Sequence, residues 1–106
     1  METHHKNHVI SYRKINEFLE SHPDHEKCRD ALNSWYDNAV ASQWTNFARV
    51  RETYGSADAV GRYVVFNIAG NKIRLVAEIR YHLKPRLIYL RHVLTHAEYD
   101  DIDLTG

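Results

Sequence analysis

Residues 61–99 read GRYVVFNIAGNKIRLVAEIRYHLKPRLIYLRHVLTHAEY, and this stretch decides the fold. Three strand-like runs follow one another with short breaks: Arg62–Ala69, Lys72–His82 and Arg86–Leu94. The first is apolar through Tyr63, Val64, Val65, Phe66 and Ile68, the pattern of a strand covered on both faces. The second alternates. Ile73, Leu75, Ala77, Ile79 and Tyr81 face one way, and Lys72, Arg74, Val76, Glu78, Arg80 and His82 the other, so it is half-buried with a cationic outer face. In the third, Leu87, Tyr89, Arg91 and Val93 share one face, with Ile88, Leu90, His92 and Leu94 on the other. Gly70 and Asn71 supply residues that accept positive φ between the first two runs, and Leu83-Lys84-Pro85 reverses the chain between the last two.

The stretch closes on Thr95-His96-Ala97-Glu98, a capping box with Thr95 as N-cap and Glu98 at the third helical position. It opens a helix expected over about His96–Asp103. His96 then sits in the first turn, and Tyr99, three residues on, lies beside it on the same surface.

The chain upstream reads as helical support. His8–Tyr12 is a short, partly β-branched strand. In Arg13–Ser21, Ile15, Phe18 and Leu19 have the i, i+3, i+4 spacing of a helix face. Pro23 opens a second helix, expected to run to Ala41, with Cys28, Ala31, Leu32, Trp35, Ala39 and Val40 as its apolar stripe. The connector Gln43–Ala59 is anchored on the core by Trp44, Phe47, Val50 and Tyr54. Residues 1–7 read as a flexible extension and 8–106 as one domain, which suits 106 residues. His4, His5 and His8 lack a metal-binding spacing, and no metal or cofactor is expected.

Apolar residues make up 43% of the chain, enough for a folded core. Cys28 is the only cysteine, which excludes an internal disulfide and a thiolate zinc site, and it reads as a core residue. No apolar run is long enough to span a membrane, and the N-terminus lacks a signal-peptide core; a cytoplasmic protein is expected. Net charge is zero but unevenly spread. Residues 43–94 carry nine Lys/Arg against three acids, whereas 95–106 carry four acids and no Lys or Arg. A cationic middle in a neutral chain points to an anionic partner, with an ordinary solvated sheet face as the alternative.

Sequential antiparallel strands bring the start of the second run beside the end of the third. Lys72 and Arg74 should therefore approach Arg91, His92 and the turn bearing His96 and Tyr99. Such a set can cut RNA without a metal. The 2′-hydroxyl attacks the adjacent phosphate, acid–base groups such as His96 and Tyr99 move protons, and arginines stabilise the charge on phosphorus. His92 shares a face with Ile88 and Leu90, so it reads as structural more readily than catalytic. Arg49 and Arg51 fit a phosphate contact or a solvated loop equally. P-loop, dinucleotide and Ser/His/Asp signatures are absent from the sequence.

The HVIS opening, the DALNSWY segment, RYVVFNIAGNKIRLVAEI and YLRHVLTHAEYD resemble the HigB-type toxins of bacterial toxin–antitoxin pairs, a branch of the RelE-like mRNA interferases. The resemblance spans about residues 8–104. It implies an α+β, RelE-like fold, with a short N-terminal strand and two helices packed on an antiparallel sheet of about four strands, and a short C-terminal helix. It implies ribosome-dependent mRNA cleavage in the A site, and a HigA-like helix-turn-helix antitoxin through which alone the toxin would reach operator DNA. By the same resemblance Arg74 and Tyr99 are the active-site arginine and C-terminal aromatic, His96 the acid–base or RNA-positioning group, and Lys72 and Arg91 phosphate contacts. His92, Arg49 and Arg51 complete the candidate RNA-binding set. Members of the family are usually basic, and this chain is neutral, which gives the ribosome a larger share in positioning substrate. The alternative is a non-catalytic RNA- or antitoxin-binding module on the same fold.

Overall fold

Alternation along residues 63–95 builds the centre of a five-stranded sheet. The computed structural model describes residues 7–104. Its strands are β1 (His8–Ile10), β2 (Asp58–Val60), β3 (Tyr63–Ile68), β4 (Ile73–Arg80) and β5 (Leu87–Thr95), in the spatial order β1-β5-β4-β3-β2. Pairing is antiparallel except that β1 runs parallel to β5, with Val9 opposite Ile88. The helices are α1 (Arg13–Ser21), α2 (Arg29–Ala41), α3 (Phe47–Thr53) and α4 (His96–Asp100), with a 3₁₀ segment at Pro23–Cys28.

The α+β architecture matches the sequence reading, with differences that have local causes. Among the described residues there are five strands where about four were expected. The extra one, β2, is three residues long and too short to show a period. The sheet is mixed because β1 and β5 are joined through the whole chain between them, a connection long enough for a parallel pair. The second helix starts as 3₁₀ from Pro23 and becomes α-helical only at Arg29. The last helix ends at Asp100, short of Asp103.

Ile15, Phe18 and Leu19 of α1 and Leu32, Trp35 and Ala39 of α2 are buried against one face of the sheet. Trp35 and Trp44 flank Phe66 of β3 with ring centroids 5.4 and 5.5 Å away. The same face supplies Ile73, Leu75, Ala77, Ile88, Leu90 and Val93.

The pairing of β4 with β5 slips between Val76 and Ala77. Val76 faces His92, while Ala77 faces Leu90, which leaves Arg91 as the extra residue of a bulge. Beyond it the alternation of β5 inverts: Val93 joins Ile88 and Leu90 in the core, and His92 turns to the other face beside Val76. His92 therefore does not share a face with Ile88 and Leu90, because the bulge adds one residue to the period.

Of the expected extension, residues 1–6 lie outside the described residues. Asn7 belongs to the fold. It is 5% exposed; its backbone N–H donates to Val40 O, and its side-chain amide to the Ala39 and Ser42 carbonyls at 2.8 and 3.0 Å. These carbonyls stand at the C-terminal end of α2, where Ser42 also donates to that of Ala39 and Arg86 to that of Ser42, so Asn7 helps cap that helix and seats β1 at once.

Candidate active site

The β3–β4 turn and the capped start of α4 set the geometry. Gly70 and Asn71 take φ of 61° and 82°, and the Lys72 N–H donates to Ala69 O at 3.3 Å, closing a tight turn with two left-handed central residues. β4 then leaves with Ile73 opposite Thr95 and Arg74 opposite Leu94. At Thr95 the capping box is complete. The Glu98 N–H donates to Thr95 Oγ1 at 3.1 Å, and the Thr95 N–H to Glu98 Oε1 at 2.9 Å. The His96 N–H donates to the Lys72 carbonyl at 3.2 Å, tying α4 to the start of β4.

Arg74, His96 and Tyr99 meet there. Arg74 Nη1 donates to Asn71 O at 3.1 Å and Nη2 contacts His96 Nδ1 at 2.7 Å; its Cζ lies 6.0 Å from the Tyr99 ring centre. A guanidinium only donates, so His96 Nδ1 accepts and the ring proton sits on Nε2. Nε2 faces the Asp100 carboxylate at 3.7 Å, one turn further along α4. Arg74 and Tyr99 border a polar cleft of about 340 Å³ that Arg51, Ser56, Ala57, Asp58, Val65 and Asn67 also line.

The remaining candidates separate. Arg51 reaches the cleft, its guanidinium fixed on Gly55 O at 2.7 and 3.2 Å. Arg49 pairs with Glu52 at 3.3 Å on the exposed side of α3 and does not line the cleft. Lys72 is exposed at the start of β4. Arg91, on the bulge, turns to Glu78 at 3.0 Å, away from Arg74. His92 lies between the two groups. Burial pushes its imidazole below the ordinary range, and Lys14 and Arg91 add to this, so it is neutral at pH 7.

Sequence reasoning missed Asp100, Asn67, Ser56 and Asp58. Asp100 was legible as the i+4 partner of His96 on a helix; Asp58 reaches the cleft through its pairing with Val65, Asn67 through its pairing with Arg74, and Ser56 from the turn before β2, and none of these carries a local signal. Among the described residues no three His, Cys, Asp or Glu side chains group as a metal site, and no helix is long and apolar enough to cross a membrane.

Residues 28–102 match the family model described as HigB toxin, RelE-like toxic component of a toxin-antitoxin system. The mRNA interferase toxin HigB of Escherichia coli (strain K12) is 26% identical over 93 residues, covering 88% of each chain. The mRNA interferases HigB of Escherichia coli O157:H7 and Shigella flexneri match at the same identity and coverage. The family match takes in α2, α3, the antiparallel part of the sheet and the Arg74–His96–Tyr99 corner, and on it this chain belongs to the HigB toxin family.

Proposed function

We propose that this toxin is an mRNA interferase that cuts mRNA in the ribosomal A site by metal-independent attack of the 2′-hydroxyl on the adjacent phosphate. The observation that carries the reading is the convergence of Arg74, His96 and Tyr99 at one end of an exposed sheet face. The relatives named mRNA interferases support the reaction class.

In this reading the arginine and histidine exchange partners. Without substrate, Arg74 occupies the Nδ1 lone pair of His96. A scissile phosphate draws the guanidinium fork onto two of its oxygens. That frees Nδ1 to take the proton of the 2′-hydroxyl as its oxygen bonds to phosphorus, while Asp100 holds the other ring nitrogen as donor and steadies the imidazolium. The bond to the 5′ oxygen breaks, and the Tyr99 hydroxyl supplies that oxygen's proton. Arg74 and Arg51 face the charge that grows on the phosphate. Lys72 extends the cationic rim. A chain of zero net charge gains little from bulk electrostatics, so the ribosome must present the RNA. From Asn7 onward the chain acts as one cytoplasmic toxin domain, and a HigA-like antitoxin with a helix-turn-helix domain silences it.

Expression of the wild-type chain in bacteria should arrest growth and cut translated mRNA, and Arg74→Ala, His96→Ala and Tyr99→Ala should each abolish cutting. A wild-type chain that leaves mRNA intact sinks the enzymatic reading in favour of a binding module. Cutting that survives all three substitutions sinks the site assignment instead.

A further inference from the structure

The sheet face that carries the cleft bears a second cationic cluster, built differently. Glu78 of β4 lies between Tyr63 of β3 and Tyr89 of β5 in the pairing register. It is only 7% exposed, although no helix has to cover this face to bury it. Three arginines surround it. Arg80 reaches Oε2 through Nε and Nη2 at 3.1 and 3.0 Å, and Arg91 reaches Oε1 through the same two nitrogens at 3.3 and 3.0 Å. Arg62 Nε stands 4.0 Å from Oε1. The guanidinium carbons lie over the tyrosines: Arg80 and Arg91 at 5.6 and 4.6 Å from the Tyr89 ring centre, Arg62 at 5.1 Å from that of Tyr63.

One carboxylate cannot use three arginines. Burial works to protonate Glu78, but the hydrogen bonds from Arg91 and Arg80 outweigh it and hold the acid below its ordinary range, so it stays ionised. The cluster therefore keeps two net positive charges. The arginine side chains remain 66, 44 and 43% exposed for Arg62, Arg80 and Arg91. Each guanidinium has five N–H donors, and Arg80 and Arg91 turn only their Nε edge inward. Their planar forks are locked in place before any ligand arrives, which lowers the entropy lost on binding. Fixed guanidinium planes beside tyrosine rings suit a phosphate-and-base ligand. Arg74 lies four residues back along the same face of β4, roughly 13 Å away. Val65, Val76 and the neutral His92 lie between.

We propose that Arg62, Arg80 and Arg91, held by Glu78 between Tyr63 and Tyr89, form a second site for single-stranded RNA flanking the scissile bond, so that substrate lies lengthwise along β4. The proposal rests on the RNA-cleaving reading of the cleft. Continuity with the cleft on one face and the paired aromatic planes favour RNA over an acidic segment of a protein partner.

The test uses 2′-O-methylated oligonucleotides, which lack the attacking hydroxyl. One is short enough to fill only the cleft, and one is long enough to cross the face. Binding is followed by fluorescence anisotropy across a salt series. Arg62→Ala and the pair Arg80→Lys/Arg91→Lys leave Glu78 with a cationic partner, and thermal melting verifies that they fold. Each should weaken the long oligonucleotide several-fold to roughly tenfold and leave the short one unchanged. Arg62→Ala should also lower the salt slope by about 0.7, one phosphate contact. Unchanged binding of the long RNA, or an equal loss on both lengths, overturns the proposal. So does intact RNA binding with weakened antitoxin affinity, which would assign the patch to a protein partner. Cleavage of translated mRNA by the wild-type chain is scored separately. If the wild type cuts and the variants bind normally, only the second site falls. If the wild type does not cut but the variants lose the long RNA, the patch stands and the enzymatic reading falls.

Discussion

Helix α4 carries His96 and Tyr99 yet buries none of its residues, so its place depends on polar anchors, and Glu98 is the acceptor for two of them. Its Oε1 takes the Thr95 N–H at 2.9 Å, and its Oε2 meets His22 Nε2 at 2.9 Å. His22, at the C-terminal end of α1, stacks on Phe18 at 4.1 Å and sets its Nδ1 2.8 Å from the Phe18 carbonyl. Both ring nitrogens thus face acceptors, which only an imidazolium can satisfy. Burial opposes that charge, but Glu98, the Phe18 carbonyl and more distant Asp24 outweigh it and raise the His22 pKa; His25, paired with Asp24, is the other titratable neighbour. Glu98 is correspondingly lowered, chiefly by the Thr95 N–H and then by His22. Replacing Glu98 by Ala removes a capping interaction of about 1 kcal/mol and a partly exposed ion pair of about 0.2–1 kcal/mol. About 1.4 kcal/mol is a factor of ten, so the frayed population of α4 should rise roughly tenfold. With nothing buried there, the loss should show as fast amide exchange at 96–100 and a fall in kcat for mRNA cleavage, with little change in Tm. His22→Ala should cost only the ion-pair share. A raised folded pKa stabilises below the unfolded value of about 6.5 and fades as pH rises through the folded one, while the lowered Glu98 stabilises above about 4.3. The His22–Glu98 coupling in a double-mutant cycle should therefore be present at pH 6 and absent well above neutrality. Coupling of equal size at both pH values would refute the charged His22. Normal cleavage by Glu98→Ala with a frayed α4 would refute the role of this helix in the site.

Asp100→Asn keeps the size of the side chain but removes the charge facing His96 Nε2 across 3.7 Å. It should lower kcat for mRNA cleavage by up to roughly tenfold and move the acid limb of the pH–rate profile, with KM unchanged. Asn7→Ala deletes amide bonds to Ala39 O and Ser42 O; Ser42 still donates to the first and Arg86 to the second, so urea melts should show a loss of about 1 kcal/mol. Equal stability of that variant would place Asn7 outside the cooperative unit.

What could be read from the sequence was what repeats or what is local. Period two in Ile73–Arg80 gave β4 its two faces, and the Thr-x-x-Glu spacing gave α4 its start. Antiparallel order alone brought Arg74 to His96 and Tyr99, as the Ile73–Thr95 pairing has it. The limits are equally physical. Asn7 follows a polar stretch and shows no pattern, because what it satisfies are carbonyls 32 and 35 residues away. The bulge has no residue that announces it; Arg91 is an ordinary strand residue until the register with β4 is known. That single extra residue has the largest consequence. In a regular ladder Val93 would stay with Tyr89 and Arg91, away from the core it in fact joins. Instead Arg91 faces Glu78 and Tyr89, His92 fills the gap beside Val76, and the cationic charge of β4 and β5 divides into two groups. One holds a histidine and a tyrosine beside its arginine and can move protons; the other holds a carboxylate that cannot leave and arginines it keeps in place. In the reading proposed above, a bulge that sorts like charges in this way separates the work of cutting from the work of holding on a single sheet face.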